Sequence, residues 1–113
     1  MLDDVTSVTL ATALSALSQR ERVSADNIAN LETPGYTAQR VSFEDSLRAA
    51  VGAGDPASAV VTTSASGDPA GINGNNVSLD AEIVDDTKSQ MQYQLLSTAV
   101  SAKFALLSAV IKG

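Results

Sequence analysis

The chain has 113 residues, enough for one small domain with a limited hydrophobic core. It contains no cysteine and no histidine, which excludes disulfides, thiolate nucleophiles and the commonest general base and metal ligand. The 13 acidic and 7 basic residues give a net charge of −6, which argues against a nucleic-acid-binding protein.

Glycine and proline divide the chain into three parts. Residues 1–33 and 75–112 contain neither, whereas all 3 prolines and 6 of the 7 glycines lie between Pro34 and Gly74. Because both residues break helices, this distribution predicts two long terminal helices and an interrupted middle. The predicted organisation is an N-terminal helical arm (1–33), a turn and short helix (34–51), a flexible variable middle (52–76) and a C-terminal helical arm (77–113).

The N-terminal arm is predicted to be a helix over about residues 6–30. Its apolar side chains recur once per helical turn, with one acidic member, in the row Leu10, Leu14, Leu17, Glu21, Ala25 and Ile28. We expect the row to pack against another helix, chiefly through Leu10, Leu14, Leu17 and Ile28. The alternating charges of residues 19–22 are typical of a solvated face.

Residues 27–36, with the sequence NIANLETPGY, close this helix. Pro34 pre-sets the first central position of a turn, and Gly35 accepts the positive φ that a type II turn requires next. Asn30 is a residue type that tolerates the left-handed conformation at a helix end. The segment predicts a helix stop with a rigid exit. The residues assigned to it are Asn27, Asn30, Thr33, Pro34, Gly35 and Tyr36.

A short helix is predicted after the turn, within residues 41–51. Phe43 and Leu47 share one helical face there, and Ser42 is a plausible cap with Asp45 three residues further on. Residues 52–76 are small, polar and rich in helix breakers, apart from a β-prone island at residues 60–63. They indicate a flexible linker or a weak hairpin.

The C-terminal arm is predicted to be a helix over residues 79–112, about 50 Å long. Ser78 can cap it, and Asp80 and Glu82 fit a solvated first turn where the helix dipole favours acidic side chains. An apolar row at helical spacing consists of Tyr93, Leu96, Val100, Phe104, Leu107 and Ile111. One partner helix cannot cover so long a face, so we expect part of it to contact other chains.

The sequence does not indicate catalysis. The serines have no histidine to activate them, and the acidic residues around Asp85 lack the spacing of a calcium-binding loop. Residues 1–4 are acidic and lack an apolar run, unlike a secretory signal peptide. We therefore predict a non-enzymatic protein without a metal, a cofactor, a small-molecule substrate or a nucleic-acid partner.

The predicted fold is all-α. Two long terminal helices pack as an antiparallel coiled-coil-like hairpin, because they share one period and are joined by a breaker-rich connection. A short helix follows the Pro-Gly turn, and the Gly/Pro/Ser-rich middle is flexible.

The segment at residues 27–36 closely resembles the signature near the N-terminus of bacterial flagellar axial proteins, the rod and hook group. Later segments are most similar to the FlgB family within that group: residues 43–47 (FEDSL), 74–82 (GNNVSLDAE) and 92–96 (QYQLL), followed by Lys103 and Phe104. The resemblance covers nearly the whole chain except about residues 52–72.

This resemblance implies a structural subunit of the proximal rod of the flagellar basal body, acting in motility. It implies export by the flagellar type III apparatus without a cleaved signal peptide, and a place in the periplasm-spanning rod. The implied partners are other rod proteins, copies of the same chain, the export gate and basal ring proteins. Two alternatives remain open from the sequence: a rod subunit of the FlgC type, and a non-flagellar helical coiled-coil adaptor.

Overall fold

The computed structural model describes residues 4–112, except for the side chains of Leu107 and Lys112. Its elements in chain order are helix α1 (Val5–Ala29), strand β1 (Gln39–Ser42), helix α2 (Glu44–Gly52), a short 3-10 helix (Pro56–Ser58), strand β2 (Thr62–Ala65) and helix α3 (Leu79–Lys112). The two long helices give the molecule dimensions of 64 × 26 × 14 Å.

Helix α1 begins and ends within a residue or so of the predicted bounds. Asp4 caps its start, because its carboxylate accepts a hydrogen bond from the Ser7 N–H at 2.7 Å. At the other end, the Asn30 side chain donates to the Asp26 carbonyl at 2.8 Å. Asn30 has φ −105°, so it does not use the left-handed conformation that it tolerates. The helix therefore ends without a residue at positive φ, and the chain changes direction later, at the Pro-Gly turn.

The predicted type II turn is confirmed at Thr33–Tyr36, where the Tyr36 N–H donates to the Thr33 carbonyl at 3.2 Å and Gly35 has φ +73°. A second turn packs against it. The Gly35 N–H donates to the Asn73 carbonyl at 2.8 Å, and a Cβ on Gly74 would lie 3.3 Å from the Gly35 Cα. The missing side chain of Gly74 thus lets the two backbone segments approach closely.

The all-α prediction is wrong in one respect, because the chain also contains a small antiparallel sheet. β1 pairs with β2 in a register that runs from Gln39 opposite Ala65 to Ser42 opposite Thr62. The β-prone middle therefore pairs with residues just after the Pro-Gly turn. The short helix was predicted correctly, but it begins at Glu44, and Ser42 belongs to β1 rather than to its cap.

The hydrophobic core is small and lies where α1 meets β1 and α3. Its buried members are Ala13, Ala16, Leu17, Val41 and Phe43, with Val23, Leu47, Val61 and Leu96 partly buried against them. Alanines in α1 allow close approach of the neighbouring elements.

Helix α3 has the predicted bounds and contacts α1 at two widely separated places. Near its start, Glu82 bonds to Ser24 and Asn27. Further along, the Lys103 ammonium lies 2.8 Å from the Asp4 carboxylate at the start of α1. α3 continues past this ion pair to Lys112, so α1 as described does not cover its last turns.

The composition of α3 also meets the length and hydropathy requirements of a membrane-spanning helix. Within Leu79–Ile111, a stretch of 18 residues is strongly apolar, and none of its described residues is buried. A helix that is buried in a protein assembly has the same composition, so the finding describes a large unpartnered apolar surface.

Replacing Gly35 with Val should lower the free energy of unfolding by about 1–3 kcal/mol, because a β-branched residue is strained at positive φ. No atom lies within 4 Å of a Cβ built there, so conformation alone is tested. Gly67→Val is the matched control, since Gly67 has open space and no positive φ. Urea unfolding followed by circular dichroism gives the comparison, and equal values for the two variants would contradict the prediction.

Candidate functional site

Asn27 lies near the end of α1 and uses its whole side-chain amide. Nδ2 donates to the Gln39 carbonyl at 2.9 Å and to Glu82 Oε1 at 3.0 Å. Oδ1 accepts from the Gln39 N–H at 2.9 Å and from the Tyr36 hydroxyl at 3.3 Å. An amide has two donor hydrogens and two acceptor lone pairs, so all four are engaged. The residue is 1% exposed.

The backbone groups of β1 alternate in direction along the strand. In an antiparallel pair, every second residue points its N–H and C=O toward the partner strand, and the residues between point them away. The Ser66 N–H donates to the Ala38 carbonyl at 2.7 Å in continuation of the β1–β2 register. Gln39 and Val41 therefore present their N–H and C=O groups to the outer edge of β1.

Side chains from α1 close this outer edge. Asn27 bonds to both backbone groups of Gln39, as a neighbouring strand would. Two turns earlier in α1, Arg20 Nη2 donates to the Val41 carbonyl at 2.8 Å. The guanidinium carbon of Arg20 also lies 4.8 Å from the centre of the Phe43 ring. The end of α1 is thereby fixed to β1 by polar contacts rather than by an apolar row.

Glu82 brings α3 into the same network. Its side chain accepts from Ser24 Oγ at 2.9 Å, from Asn27 Nδ2 at 3.0 Å and from Arg40 Nη1 at 2.5 Å. Glu82 is 1% exposed, so the prediction of a solvated first turn is wrong at this residue. A buried carboxylate requires such partners, because an unpaired one is strongly disfavoured. We call Ser24, Asn27, Arg40 and Glu82 the polar junction.

Two further asparagines join the Pro-Gly turn to the segment before α3. Asn75 is buried and donates from Nδ2 to the carbonyls of Asn30 and Thr33, both at 2.8 Å. Asn30 is the cap residue at the end of α1, and Thr33 is the first residue of the Pro-Gly turn. Asn76 Oδ1 accepts from the Ala38 N–H at 2.7 Å. The segment that follows α1 is therefore hydrogen-bonded to both Asn75 and Asn76.

A cleft of about 330 Å³ lies beside the polar junction, between α1, β1 and α3. Its lining is polar, and two of its basic side chains are already paired, Arg20 with Glu44 and Arg40 with Glu82. Among the described residues there is no group of three metal-ligating side chains.

Comparison with known proteins identifies the group to which the chain is related. A model of the flagella basal body rod protein family matches residues 9–37, the part that contains Asn27 and the Pro-Gly turn. The FlgB rod protein of Bacillus subtilis is 34% identical over 92% of this chain and 91% of its own length. The chain belongs to the FlgB family. FlgB of Escherichia coli is 31% identical over 80% and 81% of the two chains, and FlgB of Borreliella burgdorferi is 28% identical over 88% and 90%.

Membership in the FlgB family makes the chain a structural subunit of the flagellar basal body rod, acting in motility. The family is a structural one, and its members assemble with other rod components in the basal body.

The residues assigned to helix packing occupy different environments. Leu17 is buried in the core and Leu96 packs against it. Leu10, Leu14, Ile28 and Val100 are partly buried, whereas Phe104 and Ile111 are 50% and 76% exposed. The side chain of Leu107 lies outside the described residues. Their shared role in assembly stays a proposal.

The inward row of α1 was missed in part by sequence analysis. It consists of Ala13, Leu17, Arg20, Ser24 and Asn27, of which all but Arg20 are buried. The row contains three polar residues, so a search for apolar periodicity favours the neighbouring row instead. Arg20 contradicts the prediction of a solvated face at residues 19–22. A search for small and polar side chains at helical spacing, ending at Asn27, would have predicted this row.

Replacing Glu82 with Ala should lower the free energy of unfolding by about 3–5 kcal/mol, because Ser24, Asn27 and Arg40 lose a shared buried acceptor. Asp85→Ala is the matched control on the next turn of α3, where the side chain is exposed, and should change the value by less than about 0.5 kcal/mol. Urea unfolding at neutral pH measures both. Equal effects of the two variants would show that the buried network does not stabilise the fold.

The pH dependence of stability should report the Arg20–Glu44 ion pair, whose atoms are 2.6 Å apart. The hydrogen bond from Arg20 lowers the pKa of Glu44 from 4.5 to about 2. A lowered pKa in the folded state stabilises the protein above pH 4.5, and this contribution disappears as the pH falls toward 2. Because Glu44 is half exposed, we expect about 1 kcal/mol or less.

Glu44→Gln isolates this contribution. The variant should lose less stability between pH 5 and pH 2 than the parent protein, by about 1 kcal/mol or less. The parent curve also contains Asp4, whose pKa is lowered to about 2 by hydrogen bonds from Lys103 and the Ser7 N–H. Asp4 is unchanged in both proteins, so the difference between the curves belongs to Glu44. Parallel curves would contradict the prediction.

Proposed function

We propose that the chain builds the proximal part of the rod by packing its two terminal helices as an antiparallel coiled-coil-like hairpin. Support comes from two contacts at opposite ends of α1. Asp4, at its start, meets Lys103 late in α3, whereas Asn27, near its end, meets Glu82 early in α3. We also propose the predicted division of the chain into two helical arms, a turn with a short helix and a variable middle.

The observation that carries the proposal is the apolar surface that α3 leaves exposed. Among the described side chains of this helix, ten large apolar ones are at least 39% exposed: Leu79, Ile83, Val84, Met91, Tyr93, Leu95, Phe104, Leu106, Val110 and Ile111. They lie along its whole length, so the surface is much larger than isolated apolar residues on a soluble protein would give. α1 covers only one side of α3. The remaining sides suit contacts with helices of other rod proteins and of further copies.

The polar junction and the Pro-Gly turn have a different role in this proposal. They direct the chain from α1 into β1 and hold α3 against both, so that each subunit presents its apolar surface in one orientation. The assigned residues Asn27, Asn30, Thr33 and Tyr36 take part through their hydrogen bonds. Pro34 and Gly35 take part through the turn that they form.

We further propose export through the flagellar type III apparatus without a cleaved signal peptide, followed by contacts with the export gate and basal ring proteins. Resemblance to the FlgB family supports this proposal. The small core and the absence of cysteine suit a chain that passes through a channel unfolded, since no disulfide has to be broken.

Replacing Leu106 with Asp should abolish swimming while export continues. Leu106 is 68% exposed, so the variant should fold, but a carboxylate in a packed seam between helices costs several kcal/mol. Gln94→Asp introduces the same charge at an exposed polar position of α3 and should leave swimming nearly normal. Soft-agar swimming is measured together with immunodetection of the subunit outside the cytoplasm, which reports export, and in isolated basal bodies, which reports incorporation. Normal rods built from the Leu106→Asp subunit would exclude this surface from assembly.

A further inference from the structure

The two edges of the β-sheet are treated differently. Side chains of α1 close the edge of β1, as described above. By the same alternation, Thr63 and Ala65 point their backbone N–H and C=O groups away from β1. None of the described residues forms a hydrogen bond with these four groups. All residues of β2 are exposed, so this edge is open.

The open edge also lacks the devices that normally prevent strand pairing. Natural edge strands are protected by charged side chains, by proline, by bulges or by covering segments. Residues 57–67 contain no charged residue and no proline, although the chain as a whole carries a net charge of −6. Val60, just before β2, is a further apolar residue and is 60% exposed. A neutral, β-prone and accessible strand of this kind is a template for β-augmentation.

We propose that β2 pairs edge to edge with β2 of a second copy of this chain, which forms a four-stranded antiparallel sheet. Of the two strands in a second copy, β2 is the available partner, because the backbone groups of Gln39 in β1 are already hydrogen-bonded to Asn27. The absence of charged residues from 57–67 also favours a second copy as the partner. Two copies that each carry a net charge of −6 can approach along residues 57–67 without placing like charges opposite each other.

The register of this pairing follows when the outward groups of Thr63 and Ala65 bond only to one another across the two copies. Thr63 exchanges two hydrogen bonds with Ala65 of the partner subunit, and the symmetric exchange occurs on the other side of the twofold axis. Ser64 lies on the axis opposite the partner subunit's Ser64, in a pair without backbone hydrogen bonds. Such pairs have Cα atoms about 4.5 Å apart. A contact of this symmetry closes at two copies, so it is separate from the open-ended packing that builds a rod.

Single cysteines test the register, since the chain has none of its own. In a dimer with this register, the two cysteines of Ser64→Cys have Cα atoms about 4.5 Å apart, a distance that suits a disulfide. Thr62→Cys is the matched control on the same strand and face. Its two copies would be four residues apart along the pairing, about 13 Å. Under mild oxidation of the full-length protein, Ser64→Cys should form disulfide-linked dimers at least tenfold faster than Thr62→Cys.

A proline variant tests the backbone bonds. Ala65→Pro removes an outward N–H without removing a bond to β1, and should reduce crosslinking through Cys at position 64 about tenfold. Ala65→Ser keeps the N–H and should not reduce it. If Ala65→Pro has lost its helical circular dichroism signal, the cysteine comparison decides alone. Equal crosslinking of Ser64→Cys and Thr62→Cys, or none in either, overturns the proposal, and neither result bears on swimming or on the role in the rod.

Discussion

The structure depends on one side-chain amide that substitutes for a strand. Asn27 bonds to both backbone groups of Gln39 and still has a donor hydrogen for Glu82. These contacts join the three elements that a rod subunit must hold together: the end of α1, the strand after the turn, and the start of α3. An aspartate or a leucine of similar size could not do this, because only an amide combines two donors with two acceptors in one plane.

The two ends of the molecule differ in the chemistry of their side chains. At the end with the polar junction, buried hydrogen bonds and an ion pair require a defined geometry, and every partner must be present. Toward the other end, α3 extends past α1 and its side chains are largely apolar and exposed. Apolar contacts are non-directional and adapt to different neighbours. A subunit that must keep one shape while meeting several different chains is well served by this division.

Much of the fold was predictable from local signals. The breaker distribution located α1 and α3 to within a residue or two, and Pro34-Gly35 specified the turn. The sheet was not predictable, because each strand has only four residues and the paired residues are 20 to 26 positions apart. Glu82 was misassigned for a related reason. Its position at a helix start favours exposure, and the partners that bury it, Ser24 and Arg40, lie in other elements. Long-range polar contacts leave no periodicity to detect.

The sequence separation of the polar contacts constrains the order of folding. Asn27 and Glu82 are 55 residues apart, and Asp4 and Lys103 are 99 apart. Local helix formation is fast, but contacts between such distant residues require most of the chain to be free in the same compartment. A chain that is threaded through a narrow channel, from either end, cannot close the network until both long helices have emerged. If the chain is exported as proposed above, the fold delays its own completion until passage is nearly finished, without any separate inhibitor of folding.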